Sequence, residues 1–126
     1  MTLLNTSLIR KSILFLVAAM LSVSAMALDF SQTQRLGNQG YVNSQLNLGN
    51  AYYNGNGVCK YYTQAFEWFQ KSSNQGYAEA QFNLGVMYDE GLGVRQDYTK
   101  AFNLYQKSCN NGFQIGCDNY RKLNQR

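Results

Sequence analysis

The sequence predicts an all-α protein, a short α-solenoid made of antiparallel helix pairs. The first observation is an internal repeat: Asn-Gln-Gly-Tyr at 38–41 recurs at 74–77, and Asn-Asn-Gly-Phe follows at 110–113. Aligning 40–75 with 76–111 gives 18 identical positions out of 36, far above chance. The second observation is helical spacing of apolar residues within each unit, and the third is a glycine turn after each helix. Together they indicate a duplicated helix–turn–helix unit.

Each unit carries two helical stripes, which we call helix A and helix B. In helix A, equivalent residues recur at i, i+3, i+4 and i+7, and the same spacing returns in helix B. The helix A stripes are Gln45, Leu48, Gly49 and Tyr52, and Gln81, Leu84, Gly85 and Tyr88. The helix B stripes are Tyr62, Ala65, Phe66 and Phe69, and Tyr98, Ala101, Phe102 and Tyr105.

Glycine is placed where such a unit needs it. Gly49 and Gly85 occupy the same position inside helix A, where glycine costs about 1 kcal/mol relative to alanine. We therefore expect helix B to cross helix A there with the backbones nearly touching, so that an alanine would clash. The Gly-x-Gly-Val segments at 55–58 and 91–94 supply positive-φ residues that end helix A.

The first 27 residues have the pattern of a cleavable signal peptide. Arg10 and Lys11 precede a mostly apolar run at 12–23, and Ala25 and Ala27 provide small residues for cleavage after Ala27. A membrane anchor is the alternative, but the run is shorter than the roughly 20 apolar residues of a span. The predicted localisation is periplasmic or secreted, with no stable membrane anchor after cleavage.

The expected organisation is therefore a signal peptide at 1–27 and a repeat domain at 28–126. The domain would comprise a half-repeat at 29–39, repeats at 40–75 and 76–111, and a C-terminal capping helix at 112–126. The capping assignments rest on alignment of 30–39 with the end of helix B and of 114–122 with helix A.

Composition argues against several classes of chemistry. Of 11 Lys and Arg, nine lie after residue 27, against seven acids, and they form no basic patch, so no nucleic-acid partner is expected. The absence of histidine removes Ser–His and Cys–His catalysis, and the cysteines and carboxylates do not cluster as metal ligands. No catalytic residue, metal or cofactor is predicted.

Residues 76–102, with Gly-Tyr-Ala-Glu-Ala-Gln-Phe-Asn-Leu-Gly at their start, resemble the Sel-one-like repeat, a relative of the tetratricopeptide repeat. The resemblance covers about residues 30–122 and implies a right-handed solenoid of 36-residue repeats acting as an adaptor or scaffold. The first repeat departs from the pattern at 59–61, where Cys-Lys-Tyr replaces Arg-Gln-Asp of the second. Tyr61 thus lacks the carboxylate that Asp97 offers as a helix N-cap.

In tetratricopeptide-like stacks the A helices line a concave groove, and the resemblance implies one here for a peptide or protein segment. The candidates are the helix A positions outside the buried stripe. They are Asn43, Leu46, Asn50, Tyr53 and Asn54 in the first repeat, and Glu79, Phe82, Val86, Asp89 and Glu90 in the second. Simple solvation of half of these residues is the alternative.

Three cysteines in an exported chain favour a disulfide. Cys109 ends helix B and Cys117 begins the next helix, so the turn between them can bring their side chains together. The cysteine-rich exported branch of the family is similar in joining such helices at this spacing of eight. Cys59 is left in an A–B loop as an idle free thiol, an intermolecular link or a reactive site.

Two functional hypotheses remain at this stage. The first is an exported module that binds a protein or peptide, and end-to-end self-association through the terminal half-units also stays open. The second is β-lactam binding or weak β-lactamase-like hydrolysis, which the resemblance to the cysteine-rich branch implies. The serines after residue 27 lack the Ser-x-x-Lys motif of such enzymes; they are Ser31, Ser44, Ser72, Ser73 and Ser108.

Overall fold

A computed structural model describes residues 2–126, and of residues 2–5, 15 and 18–28 the backbone only. The chain divides into two compact units, Met1–Gln32 and Thr33–Arg126. In the described part of the first unit every residue belongs to helix α1, Thr2–Asn38, which continues into the second unit. Its side chains from Leu8 to Val17, where described, are largely exposed.

The predicted cleavage residues Ala25 and Ala27 lie on the backbone of α1, but their side chains are outside the described part. Among the residues that are described, no helix combines the length and the hydropathy of a membrane span. The signal peptide therefore stays a prediction.

The second unit contains the repeats. After α1 come α2 (Val42–Asn54), α3 (Tyr62–Asn74), α4 (Ala78–Glu90), α5 (Tyr98–Asn110) and α6 (Gln114–Asn124). Each helix from α2 onward packs against the next, and α4 also contacts α6. The described residues form helices and turns without a strand. The predicted all-α solenoid is confirmed, with α2 and α4 as A helices and α3 and α5 as B helices.

Both A helices end in the way the glycine pattern predicts. Gly55 and Gly91 have φ values of 74° and 69°, and their N–H groups donate to Ala51 and Met87 carbonyls. Residues with a Cβ rarely adopt this left-handed backbone conformation, so glycine at these positions allows the chain to reverse toward helix B.

The glycines inside the A helices receive aromatic rings. A Cβ at Gly49 would overlap the ring of Phe69, and one at Gly85 would lie 2.7 Å from ring atoms of Tyr105. The expected close crossing is therefore present, but the prediction of touching backbones was wrong. A ring from helix B, 1% exposed in each case, occupies the space above the glycine.

The core continues along the stack from these rings. Leu46, Ala65, Phe69, Ala80, Leu84 and Met87 form one buried cluster across α2, α3 and α4. Near the start of the second unit, Trp68 of α3 is 6% exposed. Its ring would lie 3.2 Å from a Cβ at Gly37, and the Lys71 ammonium lies 4.2 Å from its centroid. Trp68 thus fills the space beside the end of α1.

The two B helices begin differently despite equal backbone conformations. Tyr61 and Asp97 both have φ of −150°, with ψ of 97° and 100°. Only Asp97 caps its helix with a side chain, which accepts from the Lys100 N–H at 3.0 Å. Helix α3 still starts at Tyr62, because the Tyr61 N–H donates to the Tyr52 carbonyl at 2.9 Å and fixes the turn.

Polar side chains tie each repeat together at equivalent places. Gln75 donates to the Gln45 side chain at 2.7 Å, and Asn111 donates to Gln81 at 2.8 Å. The disulfide between Cys109 and Cys117, with a Cα–Cα distance of 4.5 Å, then joins α5 to α6. The predicted pairing is confirmed, and Cys59 is an exposed free cysteine.

Candidate binding groove

Four of the predicted groove residues meet at one pocket of about 230 Å³ between the first two A helices. Asn50, Tyr53 and Asn54 come from α2, and Val86 comes from α4. We call this pocket the A-helix groove; its lining is Asn50, Tyr53, Asn54, Phe69, Asn83 and Val86. Helical spacing explains the convergence, because Asn50, Tyr53 and Asn54 are i, i+3 and i+4 on one face.

The A-helix groove combines amides with aromatic surface. The Asn83 side chain donates to Oδ1 of the Asn50 side chain at 3.4 Å, which links α4 to α2. The Tyr53 ring lies 5.4 Å from that of Tyr62 and 6.3 Å from that of Phe69. Packed amides and rings of this kind suit a ligand with both polar backbone groups and apolar side chains.

Burial raises the pKa of the Tyr53 hydroxyl above its ordinary value, and the neighbouring Glu90 carboxylate and Tyr62 hydroxyl raise it further. Tyr53 therefore stays protonated and remains a hydrogen-bond donor throughout the neutral pH range. Glu90, at the end of α4, is exposed and does not line the groove.

Asp89 is the residue of the second repeat that corresponds to Tyr53, and two neighbouring side chains hold it in place. Its carboxylate accepts a hydrogen bond from the Tyr105 hydroxyl at 3.2 Å and lies 3.5 Å from the Arg126 guanidinium. Burial is the main cause of a raised pKa at Tyr105; a hydrogen bond with Asn119 lowers it, and Asp89 raises it. Asp89 and Tyr105 thus act as acceptor and donor in a fixed pair.

Two of the predicted groove residues belong elsewhere. Leu46 is only 6% exposed and lies in the buried cluster, since α2 is covered by both α3 and α4. Phe82 packs its ring 5.7 Å from Tyr105 and 5.4 Å from Phe113, so it supports the α4–α5 contact rather than presenting a free surface. Both residues are more buried than packing within one helix pair would require, because each also contacts residues of the next repeat.

The remaining predicted residues are separated from the A-helix groove. Glu79 lines a different pocket of about 350 Å³ near Gly112 and Phe113, at the other end of α4. Asn43 is exposed at the start of α2. Sequence reasoning missed Phe69 and Asn83 as lining residues. Asn83 could have been found, because it precedes the predicted groove residue Val86 by three positions and so lies on the same helical face.

Two serines considered for catalysis are structural. Ser72 and Ser108 are both 0% exposed, and their hydroxyls donate to the carbonyls of Val42 at 3.2 Å and Ala78 at 2.8 Å. Over the part of the chain that the structure describes, no three His, Cys, Asp or Glu side chains are grouped to hold a metal.

The comparison with protein families assigns the fold. Residues 42–77 and 78–113 each match the Sel1 repeat, which together is more than half of the chain. The chain belongs to the Sel1 repeat family, whose repeats generally mediate protein–protein interactions. No curated protein matches the sequence closely enough to indicate a relative.

Solved structures agree with this assignment. A Sel1 repeat protein from Oxalobacter formigenes is 26% identical with a TM-score of 0.72, covering 75% of this chain and 39% of that one. The protective antigen c5321 of uropathogenic Escherichia coli, which has an SLR fold, is 33% identical with a TM-score of 0.74, covering 76% and 21%. Cysteine-rich protein B of Helicobacter pylori, 24% identical with a TM-score of 0.67, covers 71% and 67% and shares the fold. The chain thus spans well under half of the first two proteins.

Proposed function

We propose that this protein is an exported adaptor that binds an extended segment of a partner protein in the A-helix groove. The observation that carries the proposal is the pocket between α2 and α4, where residues of two repeats converge. Repeats of this family generally serve protein interactions, which supports a binding role.

The lining favours a peptide over a compact small molecule. Asn50, Asn54 and Asn83 offer amide groups that both donate and accept, as a peptide backbone requires, and Val86 and the Tyr53 ring offer apolar contacts. An extended segment exposes its backbone groups and alternate side chains, so it can use both kinds of contact at once.

Export is supported by the leader and by the disulfide. Residues 1–27 have the charge and apolar pattern of a signal peptide. The Cys109–Cys117 bond suits an oxidising compartment such as the bacterial periplasm. The fold neighbours include bacterial cysteine-rich and SLR proteins, which agrees with a periplasmic or secreted location.

Processing gives a direct test of export. When the full sequence is expressed in a bacterium, we expect the recovered protein to begin at Leu28, as read by intact mass and N-terminal sequencing. An Ala27→Arg variant should accumulate uncleaved, because signal peptidase requires a small residue there. Wild-type protein recovered with residues 1–27 intact contradicts export by a cleaved signal.

Site-specific photo-crosslinking tests binding. A benzoylphenylalanine placed at Asn54, an exposed groove residue, should give a discrete adduct in cells, whereas one at the exposed Glu67 of α3 should not. Val86→Glu introduces a charge into the apolar part of the groove. It should reduce the adduct about tenfold, equal to roughly 1.4 kcal/mol of binding free energy.

Val86 is preferred to Phe82 for this variant, because loss of the Phe82 ring would disturb packing against Tyr105 and Phe113. Circular dichroism should show that Val86→Glu keeps the helical content of the wild type. Equal adducts from positions 54 and 67, or an adduct that Val86→Glu leaves unchanged, would falsify the proposal.

A further inference from the structure

At the C-terminal end of α4, hydrogen bonds hold the Asp89 carboxylate and the Tyr98 ring in place. Gln96 donates from one amide nitrogen to the Asp89 carbonyl at 2.6 Å and to the Tyr98 hydroxyl at 2.8 Å, so it holds these two residues together. Tyr105 donates to Oδ2 of the Asp89 carboxylate, so Oδ1 is left to a second donor. We call the pair of Asp89 and Tyr98, with its supports Gln96 and Tyr105, the Asp89 box.

The chain places one of its own cations in this box. The Arg126 guanidinium lies 3.5 Å from Oδ1 of Asp89 and 5.9 Å from the Tyr98 ring centroid. A carboxylate with an aromatic face is a combination that guanidinium groups favour. The Arg126 side chain is 62% exposed, however, whereas that of Asp89 is 17% exposed. Because the arginine side of the pair is largely exposed, this ion pair contributes little to stability, and another cation can take the place of Arg126.

The repeat explains why the box adjoins the groove. Asp89 stands 36 residues after Tyr53, and Arg126 stands 36 residues after Glu90. Tyr53 lines the A-helix groove, and Asp89, which pairs with Arg126, holds the position of Tyr53 in the next repeat. Val86 and Asp89, at i and i+3, lie on one face of α4, so a segment leaving the groove along this helix reaches the box.

Charge distribution supports a cationic occupant. The A helices α2 and α4 contain Glu79, Asp89 and Glu90 and no Lys or Arg. The B helices α3 and α5 contain Glu67 against three lysines, which are Lys71, Lys100 and Lys107. The two A helices that line the groove therefore carry three acids and no base, whereas α6, which aligns with the A helices, carries Arg121 and Lys122 and does not line the groove. The groove itself attracts positive charge, while the B helices repel it.

We propose that the Asp89 box binds an arginine side chain of the partner segment, which displaces Arg126. This proposal rests on the proposed function, since the segment's backbone lies in the A-helix groove. The partner is thus a peptide with an arginine next to residues that suit an amide-lined and apolar pocket.

The test uses a displayed library of random 12-residue peptides selected on the oxidised chain, expressed from its full sequence. We expect the selected peptides to share an arginine. For a synthetic peptide from this set, Asp89→Asn should weaken binding roughly tenfold, as expected for loss of a hydrogen bond to a charged group. Arg126→Ala should tighten binding up to about fivefold, because an exposed competitor is removed. Glu67→Gln, which removes an exposed acid on α3, is the control and should leave the affinity unchanged.

A change in the peptide guards against misfolding of the variant. Replacing its arginine by uncharged citrulline should weaken binding to the wild type by the same factor as Asp89→Asn and cause no further loss on that variant. If the affinity of the selected peptides is unchanged by Asp89→Asn and by citrulline, the proposal for the Asp89 box is wrong, while binding in the A-helix groove still stands. Failure to select any peptide overturns both this proposal and the proposed function.

Discussion

Replacing Gly49 with alanine should lower the free energy of unfolding by about 2 kcal/mol, although alanine is the better helix former. The helix propensity gain is about 1 kcal/mol. Against it stands the overlap of the new Cβ with the Phe69 ring, which is 1% exposed and packed in the buried cluster. Overpacking of this kind costs about 3 kcal/mol at the upper end of its usual range, so the clash outweighs the propensity. Urea denaturation followed by circular dichroism measures the difference.

A second variant separates the clash from other effects of glycine. In a Phe69→Leu background the ring is absent, and Gly49→Ala should become neutral or stabilising by up to about 1 kcal/mol. Gly49→Ala that stabilises the chain with Phe69 intact would show that the ring does not occupy this space.

Loss of the disulfide gives the other large effect. Changing Cys109 and Cys117 together to serine should lower the free energy of unfolding by about 2.5 kcal/mol, the chain-entropy value for so short a closed loop. The effect concentrates on α6, because this helix packs mainly on α5 and has no later helix in the described structure to cover it. Hydrogen exchange of the α6 amides should accelerate more than that of α2.

Cys59→Ser provides the matched control for this experiment. Its thiol is exposed and unbonded, so the change should stay within about 0.5 kcal/mol of wild type. Addition of a reductant to the wild type should reproduce the double variant, whereas equal stability of all these proteins would contradict a stabilising role for the bond.

Sequence periodicity was sufficient to predict the helices, because the features that define each helix lie close together in the chain. Glycine at 55 and 91 ends the A helices, and the cysteine spacing places both thiols across one turn. These features depend on residues close together in the chain. Their agreement in two successive repeats made the fold predictable.

The candidate site was less predictable because it depends on packing between repeats. Leu46 has a groove position by helical spacing alone, yet it is buried in a cluster with residues of α3 and α4. The Asp89 box needs Tyr98 from the next helix, and the side chain that occupies it, Arg126, is 37 residues away from Asp89. No local sequence pattern predicts a contact between residues so far apart, although the sequence does show that Arg126 occupies the position of Glu90 one 36-residue repeat later.

The chain contains one tryptophan, and its position beside Gly37 gives the molecule a built-in optical probe. In a linear stack each helix pair contacts only its neighbours, so unfolding can proceed from either end. Trp68 fluorescence reports solvent entry near the end of α1 and α3, while far-ultraviolet dichroism reports all helices together. The disulfide lies at the opposite end of the stack, between α5 and α6. A difference between the two signals during heating therefore measures how strongly the two ends of this solenoid unfold as one unit.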